Sequence, residues 1–211
     1  MNTENKFDWN LFLKQWSQDL LERLEDEDFN SLPLIAINER WLGCPGATNA
    51  EIAAAEARLG ITFPPSYKDF LRVSNGLQEV SRFIINPLPI QQVDWLSTRE
   101  PDLYDAWMEQ GDPSIPKREY VPDEEYFVYG DEQSCEFIRD EYLQTALEIG
   151  VDEDNDSLLL NPQIIFEDKE WEAWLFAAWM AGAIRCKSFR ELMQEEHRTI
   201  LETYSQLREL P

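Results

Sequence analysis

Between residues 7 and 28, apolar side chains recur at helical spacing. Leu13, Trp16, Leu20 and Leu24 form a stripe that Phe12 and Leu21 widen, which predicts one amphipathic helix running into the acidic stretch Glu25, Asp26, Glu27, Asp28. A second pattern begins at Thr48. With Glu51 three residues on it makes a capping box, Ile52, Ala55 and Leu59 share one face, and Gly60 is placed to end the helix in a left-handed conformation. After the Pro64–Pro65 pair, Ser66 and Asp69 repeat the capping spacing. Tyr67, Phe70, Leu71 and Ser74 follow at i, i+3, i+4 and i+7, with Asn75–Gly76 as the stop.

From Phe83 the pattern changes to short apolar runs separated by turn residues: Phe83–Ile85, Glu125–Tyr129, Leu147–Val151, Leu158–Leu160, Ile164–Phe166 and Trp171–Ala178. These predict strands of an antiparallel sheet, with turns at Asp152–Asp156 and Glu167–Glu170. Residues 95–118, with Trp95, Leu96, Tyr104 and Trp107 among prolines, glycines and acids, read as a helix plus a long excursion. Near the end, Ser188 and Glu191 make a third capping pattern ahead of the stripe Phe189, Leu192, Met193, Ile200, Tyr204 and Leu207. Helices, then sheet, then a closing C-terminal helix is an α+β order.

Neither a repeat nor a Gly/Ser- or Pro-rich linker divides the 211 residues, so a single domain over 1–211 is expected. Its 43% hydrophobic content, with 8 Trp, 7 Tyr and 11 Phe, is enough for an aromatic-rich core in spite of a net charge of −24. That charge is concentrated. Residues 91–160 hold 20 acids against 4 bases, whereas residues 41–90 hold 4 of each. Such a field repels nucleic acid and anionic membrane and speeds encounter with a basic partner, although a solvated surface is an equally good reading of composition alone. The opening MNTENKFDWN lacks the basic-then-apolar form of a secretion signal, and no apolar window is long enough for a membrane span, which predicts a cytoplasmic protein. Cys44, Cys135 and Cys186 are spaced for neither a disulfide framework nor zinc and are expected as reduced, buried thiols.

Little of the chain points to chemistry. Asp152, Asp154 and Asp156 alternate as in a calcium loop, but Ser157 stands where such a loop needs glycine and Gln163 where it needs a bidentate glutamate, so a solvated hairpin turn is expected. His197, the only histidine, lies among glutamates on the closing helix, on what reads as an exposed face, without a partner set for catalysis. Adjacent carboxylates such as Glu124–Glu125 and Asp131–Glu132 follow from having 42 acids. The expectation is therefore no catalytic residues, no cofactor and no metal. The candidate partner-binding residues, chosen by charge, are Asp123, Glu124, Glu125, Asp131, Glu132, Asp152, Glu153 and Asp154.

The stretch Trp41-Leu-Gly-Cys-Pro-Gly-Ala, then Glu51-Ile and Glu56, then Phe63-Pro-Pro-Ser-Tyr-Lys-Asp-Phe-Leu71 and Asn75-Gly76-Leu77 resembles the signature of the SUKH superfamily, the Smi/Knr-type proteins. Weaker similarity continues through Val128-Tyr-Gly130, Leu158-Leu-Leu-Asn-Pro162, Glu170-Trp-Glu-Ala-Trp174 and Ser188-Phe189, covering about residues 38–195. The N-terminal helix over about 7–28 is an extension, and the acidic 94–125 segment also falls outside the family pattern. The resemblance implies a curved antiparallel sheet with flanking helices. It also implies a non-catalytic protein-binding module, in many bacterial members an immunity protein that neutralises a delivered toxin, often a nuclease. The alternative it carries is a regulatory or scaffold protein with an endogenous partner, like the fungal cell-wall-synthesis regulators. The signature residues Trp41, Gly43, Glu51, Pro64, Tyr67, Phe70, Asn75 and Gly76 read as structural. Trp41, Tyr67, Phe70, Trp171 and Trp174 are expected in the core, and Gly43, Gly60 and Gly76 at turns with positive φ.

Overall fold

The structure is a computed structural model describing residues 6–24, 26–80, 84–108, 120–180 and 182–209. Helix α1 (Trp9–Leu21) is capped by the Asp8 side chain, which accepts the Leu11 amide at 3.0 Å, and buries Trp9, Leu13, Trp16 and Leu20. It stops before the acidic run instead of absorbing it. Residues Asp26–Ser31 start a new helix, α2, and Leu34–Glu39 a third, α3.

Helix α4 (Asn49–Leu59) has the capping box that the spacing predicts: the Thr48 hydroxyl accepts the Glu51 amide at 3.2 Å and Glu51 takes the Thr48 amide at 2.8 Å. Gly60 closes it with φ 71°. Helix α5 (Pro65–Val73) departs from expectation. Neither Ser66 nor Asp69 caps it. Glu170, 104 residues away in sequence, accepts the Ser66 amide at 2.8 Å and the Ser66 hydroxyl at 2.6 Å, and so satisfies a free amide of the first turn while it ties up the hydroxyl. Asp69 instead pairs with Arg72 and Lys6.

The sheet is antiparallel, open and six-stranded. Its strands are β1 (Asn86–Pro87), β2 (Asp94–Trp95), β3 (Leu147–Val151), β4 (Ser157–Ile165), β5 (Trp171–Ala177) and β6 (Gly182–Cys186), in the order β1-β3-β4-β5-β6 with β2 also paired to β3. The run at 158–160 and residues 164–165 of the next run belong to one strand: pairing with β5 slips between Asn161 and Ile165, where Pro162 has no amide to give a ladder. Strand β6 was not legible, because a five-residue segment holding Arg185 lacks an apolar run. Phe83 lies outside the described residues, while Ile84 and Ile85 are buried ahead of β1. The Glu125–Tyr129 run is not a strand. Pro122 opens a short helix α8 (Asp123–Tyr126) whose first turn carries three acids. The 95–118 region contributes α6 (Leu96–Arg99) and α7 (Pro101–Met108) before passing outside the described residues.

Both sheet faces are covered. Leu158, Leu160, Ala173 and Leu175 join α1, α4, α5 and the closing helix α9 (Phe189–Glu209) in the larger core, which includes Tyr67, Phe70 and Trp171. On the opposite face Leu159, Trp174, Phe176 and Ala183 pack with Leu96, Ile138, Leu143 and Ala146. Strand β4 therefore reads as five consecutive buried residues rather than as an alternation. The Ser188 hydroxyl caps α9 by accepting the Glu191 amide at 3.1 Å.

Three expectations change in detail. Trp41 is only partly buried, packed against the core edge. Gly43 has no positive φ, unlike Gly60 and Gly76; it is glycine because a Cβ there would stand 2.4 Å from the Trp41 ring. The cysteines are free, but only Cys186 is buried, Cys44 and Cys135 being half-buried.

Candidate protein-binding surface

Several of the acids are internal, and most of these serve the fold. Glu172 on β5 is fully buried and accepts four hydrogen bonds: Tyr126 and Tyr129 hydroxyls at 2.7 Å each, Trp174 Nε1 at 2.8 Å and Asn161 Nδ2 at 2.9 Å. Arg185, equally buried on β6, lies 3.9 Å from it, donates to the Tyr126 and Val128 carbonyls and sits 4.3 Å over the Tyr126 ring. Burial first, and the Glu172 charge second, push both tyrosine hydroxyls well above their ordinary range, so they remain donors. Glu148 on β3 is held the same way by Arg99 and by the Ser157 hydroxyl at 2.7 Å. These polar clusters lie between the layers and tie them together, with Arg185 Nε the one cluster atom left without a partner among the described residues.

The outer edge of β6 is sealed as well. The Gln133 amide oxygen accepts the Arg185 amide at 2.7 Å and its Nε2 reaches the Arg185 carbonyl at 3.2 Å, so one side chain mimics a neighbouring strand. Cys135 accepts the Ala183 amide at 2.9 Å, and a Cβ on Gly182 would stand 1.9 Å from that same Cys135 carbonyl. Between this segment, β6 and α9 runs a groove of about 670 Å³ lined by Tyr129, Asp131, Gln133, Arg185, Glu191 and Arg198, among others.

The structure distributes the eight charge-selected acids over three places. Asp123, Glu124 and Glu125 are exposed on α8, with Asp123 bonded at 2.5 Å to Arg139. Arg139 in turn lies 4.9 Å over Tyr120 and 4.6 Å over Tyr126. Asp131 and Glu132 are exposed beside the groove, where Asp131 meets Arg198 of α9 at 3.7 Å. Asp152, Glu153 and Asp154 form the β3–β4 turn. Asp152 Oδ1 accepts the amides of Asp154 and Asp156 at 2.9 and 3.0 Å, and Asn155 takes the left-handed conformation at φ 62°. Among the described residues no group of three or more His, Cys, Asp or Glu is arranged to hold a metal ion. The second group meets α9 through Arg198, the charge of Asp152 in the third reaches Glu196 of α9, and in the first Asp123 is held by Arg139.

Two relevant residues escape a reading by charge runs. Glu196 on α9 is buried at 8% exposure facing Asp152 and Asp156, and its carboxyl is pushed up to about 7 by burial first and then by Glu195, Asp152 and Asp156. Trp179, in the 3₁₀ turn Ala178–Met180, is 74% exposed and donates its indole N–H to Asp156 at 2.5 Å. Only the helical stripe, in which 196 falls between 193 and 200, marks Glu196 as inward. His197, expected on an exposed face, is partly buried: it stacks on Trp16 at 5.2 Å and pairs with Asp19 at 3.0 Å, and burial lowers its pKa.

The model of the SMI1 / KNR4 family (SUKH-1) matches residues 46–195. The chain is a member of the SMI1 / KNR4 family. No curated protein matches it. SMI1 / KNR4 membership supports a non-catalytic module that binds a protein partner, and the matched segment runs from α4 through the first turns of α9, so it includes all three acidic places. Among the described residues no helix is long and apolar enough to cross a membrane.

Proposed function

We propose that this SMI1 / KNR4 protein is an immunity protein that occludes a basic toxin domain, a nuclease whose nucleic-acid groove is lined by Lys and Arg. The carrying observation is the crowding of carboxylates around the middle of α9, with Asp131 and Glu132 on one side and the Asp152–Asp156 hairpin on the other. An acidic surface of this kind competes with phosphates for a basic groove and accelerates encounter through its long-range field.

The test is growth rescue by co-expression with the C-terminal domain of a polymorphic toxin, if one is encoded beside this protein, followed by titration of the purified pair at two salt concentrations. Rescue, with an association rate that falls steeply as salt rises, supports the reading. The same titration with Asp123, Glu124, Glu125, Asp131 and Glu132 neutralised together is expected to weaken binding; unchanged binding removes those five from the interface. Absence of both rescue and binding transfers the function to a regulatory module with an endogenous partner.

A further inference from the structure

The molecule contains one completed version of a particular recognition geometry and one incomplete version. In the first, Arg139 lies across Tyr120, Tyr126 and Phe127, at 4.9, 4.6 and 5.7 Å from their ring centroids, while its guanidinium bonds Asp123. An arginine there is sandwiched by aromatic faces and closed by a carboxylate. At the other end of the sheet Trp179 projects its ring into solvent and donates its indole N–H to Asp156, whose charge, with that of Asp152, reaches Glu196. Trp is the strongest aromatic partner for a cation and the residue type most enriched at interface hot spots.

Exposed carboxylates on a turn need no explanation beyond solubility, but Glu196 does. Its side chain is more than nine-tenths buried, it accepts no hydrogen bond from any described residue, and the charges that reach it, from Glu195, Asp152 and Asp156, are all negative. No Lys or Arg among the described residues pairs with Glu196, Asp152, Glu153 or Asp154. A carboxylate this buried, held among like charges without a protein donor and open to solvent only at its tip, gains most from a cation that arrives there.

We propose that the β3–β4 hairpin end is the docking point for an arginine side chain of the protein partner, stacked on Trp179 with its guanidinium received by Glu196 and Asp152. This rests on the basic-partner function above and names the chemistry of its anchor. A guanidinium fits better than a metal ion because the carboxylates are not arranged around a common centre, whereas a planar fork with five donors bridges spaced acceptors and stacks on an indole at the same time. Binding brings a positive charge against a carboxyl that is half-protonated near pH 7, so the proton leaves as the arginine enters and affinity rises with pH through that range.

The test uses the full chain and a Gly–Arg–Gly peptide blocked at both ends, following by NMR the Trp179 indole N–H, assigned with Trp179→Phe, and the backbone amides of the Asp152–Asp156 turn, which report in every variant. The expected result is a saturable shift, absent with Gly–Glu–Gly, stronger at pH 8 than at pH 6, and weakened about three- to tenfold by Trp179→Ala. Glu196→Gln, which keeps the shape of the side chain, is expected to weaken it similarly and to abolish its pH dependence. No shift, or an equal shift in both variants, overturns the proposal; so does saturation of the Trp179 signal by calcium alone. With the toxin domain, an unchanged Kd for Trp179→Ala and Glu196→Gln overturns the docking point and leaves the immunity reading standing. A saturable arginine site in a protein that binds no toxin has the reverse meaning.

Discussion

Glu172 and Glu196 are both glutamates buried against the same sheet, one on each face, and their surroundings are opposite. Glu172 has four donors and Arg185; Glu196 has no donor among the described residues and faces Glu195, Asp152 and Asp156. The first arrangement converts a costly charge into a clamp that ties α8, β4, β5 and β6 together. The second leaves the carboxyl without a protein donor and among like charges in the free protein. Burial alone therefore does not tell a structural acid from one held ready for a partner; the census of donors does.

The largest expected effect comes from breaking the clamp. Glu172→Ala strands Arg185 and four donors in the interior and is expected to cost about 3–5 kcal/mol in urea unfolding. Arg99→Ala tests whether the distinction can be created, since it leaves Glu148 with only Ser157, in the manner of Glu196. A loss of about 2–4 kcal/mol is expected. Burial already raises the Glu148 pKa and removing Arg99 raises it further, so the folded state would hold its proton to higher pH than the unfolded chain and stability would fall more steeply as pH rises.

Glu196→Gln is expected to act in the opposite direction. The folded-state carboxyl at about 7 lies above its ordinary 4.5, so between these values the folded protein binds more protons and loses stability with rising pH. The variant should match the parent near pH 4 and exceed it by about 1–3 kcal/mol at pH 8, read from unfolding midpoints across that range. A destabilised Glu196→Gln protein would place Glu196 in the same class as Glu172. Smallest is Trp179→Ala, where an exposed ring leaves and stability should stay within about 0.5 kcal/mol in the same assay.

What was legible beforehand depended on the range of the interaction. Thr48, Glu51 and Gly60 place both ends of α4 because a capping box and a left-handed stop involve residues three or four apart. The same reasoning failed at α5, where Ser66 has the right neighbour but spends its hydroxyl on Glu170. A run of acids looked like the end of one helix and proved to be the start of another, and a run with Tyr126 and Tyr129 looked like a strand although these tyrosines reach Glu172 from a helical turn and the coil after it. The candidate surface was visible as excess charge, but its two most informative members were not. Glu196 is one acid in a helix full of them, and Trp179 is one aromatic after a strand of aromatics.

The sequence by itself determined the α+β order, the family, the first turns of α4 and α9, and the concentration of negative charge in residues 91–160, since each follows from composition or from neighbours within a few residues. Tertiary structure alone decided which carboxylates are saturated and which are not. Glu170 meets Ser66 across 104 residues, Arg99 meets Glu148 across 49, and the charges of Asp152 and Asp156 reach Glu196 because α9 packs on the sheet. Desolvation and charge pairing act through space, and chain separation carries no record of them.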